Sequence, residues 1–331
     1  MTDGSSRFIV ITSIFEPSEA VRRFGELAGW RLVVVGDRKS PPTWSWPGVE
    51  YLSPEQQPGL GYRLSEALPW NHYARKMLGY LWALERGATV IVDTDDDNLP
   101  KSDWSFPPFD GNFAEAAGPR FYNAYRRFTD AFIWPRGYPL RLLKDDSQPA
   151  LTVGPQQVGV WQGLADGDPD VDAIYRLVVG EPLTFSNEEP VVLGPGTVCP
   201  FNSQNTSFRP EVFALMYLPA FVTFRFTDIL RSLVAQPILW AAGYRVGFVS
   251  ATVTQERNAH DLLEDFGSEV PMYLQTERVV DLASSVVSAN RSVEENLRVV
   301  YGALAEEGIV ENAELDLLDV WLGDLAAIGV R

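Results

Sequence analysis

The sequence contains few of the residues on which thiol and imidazole chemistry depends. Its 331 positions include one cysteine, Cys199, and two histidines, His72 and His260. A single cysteine excludes an intrachain disulfide and any zinc site built from several cysteines. Two histidines leave little room for a histidine-rich metal centre. We interpret Cys199 as a small buried residue and His72 as structural.

Positive charge is also scarce, and long apolar runs are absent. The 27 lysines and arginines stand against 44 aspartates and glutamates, which gives a net charge of −17. This balance argues against broad contact with nucleic-acid phosphates or anionic lipid, so an anionic substrate would need a local cationic pocket. No segment approaches the roughly 20 apolar residues that span a bilayer, and no secretory signal is evident. We therefore expect a soluble, cytoplasmic protein without a membrane segment.

What the sequence does contain is an alternation of strands and helices. Apolar, β-branched stretches predict strands at 8–12, 31–35 and 88–92, and helical spacing predicts helices at 16–27 and 73–86. These β-α-β units predict an α/β fold, with a Rossmann-like, mainly parallel sheet flanked by helices. Such sheets bind ligands at the carboxyl ends of their strands, where Thr12, Asp37 and Asp93 lie.

The remainder of the chain changes character twice. Residues 101–200 form an irregular region rich in aromatic residues, proline and glycine, and helices at 214–220 and 228–242 and a strand at 245–253 follow it. The last part is helical, with segments at 279–288, 292–307 and 312–328. We predict one domain at 1–270 and a C-terminal helical extension at 271–331.

The most informative feature is an acidic run at the end of a predicted strand, DTDDDN at 93–98. Four carboxylates in five residues repel one another unless a cation or the donors of a ligand meet them. One interpretation is a metal–diphosphate site, in which strand-end carboxylates share Mn²⁺ or Mg²⁺ with two phosphates. The others are a solvated acidic turn and a structural calcium loop. The preceding strand and the β-α-β start favour the first.

The alternation within this run predicts which carboxylates act together. In an extended chain Asp93, Asp95 and Asp97 share one face and Asp96 points the opposite way. We predict Asp95 and Asp97 as the metal-proximal pair, with Asp93 near a ribose, whereas a turn within the run would reassign these roles. The run is not an EF-hand, because it lacks the central glycine and the closing glutamate. A P-loop and a G-x-G-x-x-G motif are also absent.

Several stretches spread over nearly the whole chain carry a resemblance to a known family. They are NHYARKMLGY at 71–80, the DTDDDN run at 93–98, WPRGYPL at 134–140, ADGDPDVDA at 165–173, FNSQNT at 201–206, RFTDILR at 225–231 and WLGDL at 321–325. Together they resemble the plant STELLO glycosyltransferases. A more distant resemblance links 136–140 and 225–230 to the reversibly glycosylated polypeptides, which act as UDP-arabinopyranose mutases. We expect no membrane anchor such as the plant proteins carry, and the run at 93–98 differs from that of the mutases in its extra acid and threonine.

The resemblance implies a GT-A-type, metal-dependent glycosyltransferase. Its donor would be a nucleoside-diphosphate sugar, with UDP favoured, its cofactor Mn²⁺ or Mg²⁺, and its acceptor is unspecified. Residues 7–100 would form the nucleotide-binding half and residues 101–270 the acceptor half. Thr12 and Asp37 would contact the base and ribose, although an aspartate after a glycine is also an ordinary turn residue. Asn71 would touch the donor or cap the following helix.

The same resemblance implies roles for charged residues outside the acidic run. Arg75 and Lys76 would face the donor diphosphate, the alternative being a solvated helix face. Asp228 would act as the base for the acceptor or hold sugar hydroxyls, the alternative being a helix N-cap. Arg136 would contact phosphate or, as in the mutases, carry the sugar, and Arg141 is a second candidate for this role. His260 would be a third metal ligand, the alternative being a surface histidine.

Two other functions remain open at this point. A nucleotide-sugar mutase or self-glycosylating protein would use the same donor site, and a non-catalytic sugar-nucleotide-binding protein would bind without turnover. The sequence does not decide whether the protein forms a homo-oligomer.

Overall fold

The computed structural model describes residues 6–145, 147–256 and 261–329. Its strands are β1 Arg7–Thr12, β2 Arg31–Val35, β3 Glu50–Leu52, β4 Val90–Thr94, β5 Asn98–Pro100, β6 Asp110–Ala116, β7 Leu151–Gly167, β8 Val191–Leu193, β9 Asn205–Phe208 and β10 Arg245–Gln255. Its helices are α1 Glu19–Gly25, α2 Leu64–Ala67, α3 Lys76–Glu85, α4 Ala173–Val178, α5 Thr227–Ala241, α6 Leu262–Val286, α7 Val293–Glu306 and α8 Asn312–Ala327.

The strands form one sheet in the order β3-β2-β1-β4-β9-β7-β6-β8-β10-β5, with an additional pairing of β7 and β10. The first four neighbours are parallel, as the β-α-β pattern predicts. The α/β class and the flanking helices are therefore confirmed. Beyond β4 the sheet is mixed, because β9 runs antiparallel to both β4 and β7, and β6 runs antiparallel to β7.

Helices α3 and α5 cover the face of the sheet that carries the larger core, and α1 covers the other face. Gly79 lets α3 lie directly on β1, since a Cβ at this position would come within 2.5 Å of the Cγ1 atom of Val10. The close approach brings the start of α3 beside the carboxyl end of β4. The geometry of the acidic run depends on this packing.

Three sequence predictions differ from the structure. The 17-residue strand β7 lies in the region predicted as irregular, because Gly154, Pro155, Gly159 and Gly163 hide its strand signal. Helix α6 begins at Leu262 rather than at 279, and it contains Pro271, which in a sequence reads as a helix boundary. The helix predicted at 214–220 is a 3₁₀ helix at Pro210–Met216.

The C-terminal helices share the large core with the sheet. The buried carboxylate of Glu314 on α8 accepts hydrogen bonds from the backbone N–H groups of Ala220 and Phe221, at 3.1 and 2.9 Å. Asp324 accepts one from the N–H of Leu64 at 2.8 Å. The extension is confirmed as helical, and the boundary near 270 stays a prediction. Cys199 is buried, as expected.

A search of the described residues finds no helix with the length and apolar character needed to cross a membrane.

Candidate active site

Two adjoining cavities open at the carboxyl ends of β1 and β4. The large cavity measures about 440 Å³ and the small one about 200 Å³. Both are lined by Thr12, Ile14, Phe15, Tyr73, Asp96 and Phe224. The large cavity adds Asp95, Asp97, Arg136, Asp170, Arg225, Asp228 and Gln255, among others. The small one adds Asp37, Lys39, Asn71, His72 and Arg75, among others. Most of the predicted site residues therefore surround one region of the molecule.

Asp93 is the exception within the acidic run. It is fully buried under the cavity, where Lys76 Nζ lies 2.8 Å from its Oδ1 and Arg231 Nη1 lies 2.9 Å from its Oδ2. Both carboxylate oxygens thus face cations supplied by α3 and α5. Asp93 is not among the residues that line either cavity, and its predicted place near a ribose stays a prediction. Its observed contacts are those of a structural ion pair.

The next three aspartates all line the large cavity. β4 ends at Thr94 and the chain turns at Asp96 and Asp97, so the extended alternation expected from the sequence does not hold. Asp96 therefore joins Asp95 and Asp97 rather than pointing away from them, and its carboxylate accepts a hydrogen bond from Ser13. Asp97 Oδ2 accepts one from Gln255 Nε2 at 3.1 Å.

The protonation of this turn reflects its surroundings. Burial raises the pKa of Asp96 to about 6, while the hydrogen bond from Ser13 opposes the increase. Burial also raises the pKa of Asp95, against the attraction of Lys76, whose Nζ lies 2.9 Å from its Oδ1. The side chain of Asp95 keeps 39% of its surface open, so solvent in the cavity moderates that increase. A cation in the cavity would favour the ionised forms.

Neither Arg75 nor Lys76 presents its charge freely to the cavities. The guanidinium of Arg75 donates to Gln57 Oε1 from Nε at 2.8 Å and to the carbonyl of Leu68 at 3.0 Å, and it stacks on Trp70. Lys76 is fully buried between Asp93 and Asp95. Arg75 thus has neutral partners at the wall of the small cavity and Lys76 lies between carboxylates, and the prediction that both face a diphosphate stays a prediction.

Arg136 lies between two carboxylates in the wall of the large cavity. Its Nε and Nη2 donate to Asp170 at 2.8 and 2.9 Å, and its Nη1 and Nη2 donate to Asp228 at 3.0 and 2.8 Å. Nη1 also donates to the carbonyl of Arg225. These five bonds use all five donors of a guanidinium. Gly137, with φ of +84° and a Cβ position 2.5 Å from Ile229 Cγ2, allows this close packing.

Asp228 therefore does not act as an N-cap. It lies in the first turn of α5, and the cap residue Phe226 makes no side-chain hydrogen bond. Besides Arg136, its carboxylate accepts from the N–H of Ser203 at 3.2 Å. Arg141, the second arginine candidate, lies away from both cavities and pairs with Glu277 on α6, with 63% of its side chain exposed.

Asp37 organises the wall of the small cavity. Its Oδ1 and Oδ2 accept from the N–H groups of Asn71 and His72 at 2.9 and 3.2 Å. These bonds hold Asn71 at φ +57°, a left-handed conformation that asparagine tolerates better than most residues. The cap of the following turn is His72, whose Nδ1 accepts from the N–H of Ala74, and not Asn71. Burial lowers the pKa of His72.

A metal site made of protein ligands alone is not seen in the described part of the chain. No three His, Cys, Asp or Glu side chains there form a group that could hold an ion by themselves. His260, predicted as a third ligand, lies outside the described residues. The carboxylates of the acidic turn, Asp95, Asp96 and Asp97, fit a different arrangement. In it, Mg²⁺ or Mn²⁺ binds one or two carboxylates and completes its coordination shell with substrate phosphates and water.

Tyr73 and Arg225 are among the residues of the large cavity that sequence reasoning misses. Tyr73 has a buried hydroxyl without a hydrogen-bond partner among the described residues. Arg225 donates from Nε to Glu269 Oε1 at 2.9 Å. A signal for Arg225 exists, since it opens the RFTDILR stretch three residues before Asp228. Its partner on α6 is 44 residues away, and no local pattern predicts that contact.

Comparison with known proteins agrees with the resemblance seen in the sequence. Residues 225–331 match the family model of the STELLO glycosyltransferases. The chain is 28% identical to "Probable glycosyltransferase STELLO1" and 27% identical to "Probable glycosyltransferase STELLO2", both from Arabidopsis thaliana. The alignments cover 99% of this chain and 45% of each relative, so the chain spans less than half the length of the curated relatives it matches. The chain is therefore similar to the STELLO glycosyltransferases, in agreement with the resemblance predicted from its motifs.

Among solved structures, the chain is similar to glucosyl-3-phosphoglycerate synthase from Mycobacterium tuberculosis in complex with Mn²⁺ and UDP-glucose. The identity is 12% and the TM-score 0.39, over 85% of this chain and 79% of that chain. A likeness at this level does not identify a shared function, so the functional assignment depends on the residues of this chain.

Proposed function

We propose that the protein is a metal-dependent glycosyltransferase whose donor is a nucleoside-diphosphate sugar, with UDP as the nucleotide. The observation that carries this proposal is the convergence of Asp95, Asp96 and Asp97 with the Arg136–Asp228 pair in one cavity. The carboxylates of the acidic turn repel one another and would also repel a diphosphate. A divalent cation bound between them would offset both repulsions. Family likeness supports UDP and the reaction class.

The two cavities suit the two ends of such a donor. The small cavity offers Thr12, Asp37 and the strained backbone at Asn71 for a base and ribose. The large cavity offers the acidic turn, where a divalent ion would neutralise the charge of the leaving diphosphate. Asp228 lines the same cavity, and its carboxylate would meet a sugar or acceptor hydroxyl by exchanging one of the four hydrogen bonds that it accepts from Arg136, Ser203 and Ile229. Catalysis would then depend mainly on positioning and on charge stabilisation.

The structure disfavours a self-glycosylating mutase that uses Arg136. A nucleophilic guanidinium must expose a nitrogen lone pair, whereas all donors of Arg136 are engaged. Asp170 and Asp228 raise the pKa of this buried group even though burial alone would lower it. Arg136 is better suited to holding the two carboxylates in place.

The test is calorimetric titration of the parent protein with UDP, with and without Mn²⁺, followed by assays of UDP release from a panel of UDP-sugars. We expect UDP to bind with Mn²⁺ present and to bind much more weakly without it. Asp97→Asn should weaken the binding of UDP in the presence of Mn²⁺. Asp319→Asn is its matched control, because Asp319 is an exposed aspartate on α8. If no nucleoside diphosphate binds in the presence of Mn²⁺, the donor-site assignment is wrong.

A further inference from the structure

We propose that Arg225 is the residue that contacts the anionic group of the ligand, and that Glu269 of α6 is its positioning residue. This inference rests on the proposed function and adds to it the source of positive charge. It also gives the C-terminal helical extension a direct part in building the site.

Negative charge outweighs positive charge around the large cavity. Asp95, Asp96, Asp97, Asp170 and Asp228 contribute five carboxylates, and its described lining contains two cations, Arg136 and Arg225. A diphosphate that enters such a cavity meets strong repulsion unless some positive charge remains available. Arg136 cannot contact the diphosphate, since all five of its donors are engaged, four of them by Asp170 and Asp228 and one by the carbonyl of Arg225.

Arg225 differs from Arg136 in its unused donors. Nε is the nitrogen of its guanidinium that makes a hydrogen bond to a described residue, Glu269. Nη2 lies 2.9 Å from the same Oε1 atom, yet it makes no hydrogen bond there. Asp265 Oδ1 lies 3.9 Å from Nε, so Arg225 faces two carboxylates of α6, and its side chain is 12% exposed. Arg225 therefore brings a nearly buried cation with spare N–H groups to the cavity wall, where a charge-assisted bond to phosphate is strongest.

Glu269 fixes this guanidinium from outside the cavity. The glutamate is fully buried, and its Oε2 accepts from the N–H of Ala173 at 2.7 Å and from the hydroxyl of Tyr273 at 2.6 Å. The backbone of Arg225 is also tied to α6, since its N–H donates to Ser268 Oγ at 3.3 Å. Helix α6 and the start of α4 thus restrain the orientation of Arg225, which reduces the ordering cost when a ligand binds.

The experiment compares UDP and uridine in ligand-observed NMR titrations with Mn²⁺ present. For Arg225→Gln we expect a loss of about 10- to 100-fold in UDP affinity, with uridine affinity unchanged. Arg225→Lys should recover part of the loss, and Glu269→Gln should lose UDP affinity by about tenfold. Arg141→Gln and Glu277→Gln serve as controls, because they break an ion pair to the same helix outside the cavity.

The outcomes separate this inference from the proposed function. Equal UDP binding by the parent and Arg225→Gln overturns the role of Arg225 and leaves the proposed function intact. An equal loss of uridine and UDP overturns it as well, because it shows a structural effect. If the parent does not bind UDP, both proposals fail. Thermal unfolding of each variant shows whether the protein remains folded, and Arg225→Lys provides the test if Glu269→Gln does not fold.

Discussion

The two ends of the acidic run have the same side-chain chemistry and opposite surroundings. Asp93 is closed off between Lys76 and Arg231, whereas Asp95, Asp96 and Asp97 line an open cavity. The difference comes from other elements, because α3 and α5 place both Lys76 and Arg231 on Asp93, whereas at the other end Lys76 contacts Asp95 and leaves 39% of that side chain exposed. An aspartate in such a run is structural where the fold buries it between two cations, and it can reach a ligand where its side chain lines an open cavity.

Asp93→Asn should have the largest effect on stability. The substitution leaves Lys76 and Arg231 buried without their shared carboxylate, and breaking a buried pair in this way costs about 3 to 5 kcal/mol. Urea unfolding followed by circular dichroism measures this loss, with the exposed Asp319→Asn as control. A change in the free energy of unfolding similar to that of the control would show that Asp93 is not structural.

Asp97→Asn should have the opposite effect to Asp93→Asn, with little change in stability and a large change in ligand binding. Because its carboxylate faces a cavity with four others, the loss of its charge should change the free energy of unfolding by less than about 1 kcal/mol. Affinity for UDP with Mn²⁺ should fall by about 100-fold. Calorimetry and urea unfolding of the same sample test both statements. Unchanged UDP affinity would place the metal–diphosphate contact elsewhere.

The comparison also shows which parts of the site a sequence can predict. The β-α-β half and the position of the acidic run follow from local patterns, since strand and helix periods lie within about 15 residues of chain. The partners of Asp93 do not, because Lys76 is 17 and Arg231 is 138 residues away. A sequence shows that Lys76 precedes the run, but only the packing of α3 on β1 shows which aspartates it reaches. The same limit hid the contact of Glu269 with Arg225.

A second pair of carboxylates repeats the contrast on the loop before α4. Burial alone would raise the pKa of Asp170, but Arg136 lowers it below its usual value. Asp172 receives hydrogen bonds from Trp134 Nε1 and the N–H of Tyr175 without a cation among its contacts, and burial raises its pKa to about 6. The native state therefore binds the Asp172 proton more tightly than the unfolded state does.

This difference predicts a pH dependence of stability. An acid whose pKa is raised on folding stabilises the native state at low pH, and that contribution is lost as pH rises from about 4 to about 6. Relative to Asp172→Asn, the parent should lose about 1 to 3 kcal/mol of unfolding free energy over this range. Urea titrations at several pH values measure the difference. A constant difference between the two proteins would contradict the assignment.

The smallest effect is expected at Arg141, which the sequence offers as an equal alternative to Arg136. Arg141 pairs with Glu277 on the surface, and a solvated pair of this kind contributes little. Arg141→Gln should leave both the unfolding midpoint and UDP affinity unchanged within error. Arg136→Gln, in contrast, should disturb both, because it leaves Asp170 and Asp228 buried without their shared cation. Measuring the unfolding midpoint and UDP affinity of both variants decides which arginine belongs to the site. If the two variants behave alike, burial and hydrogen bonding do not identify the arginine that the site uses.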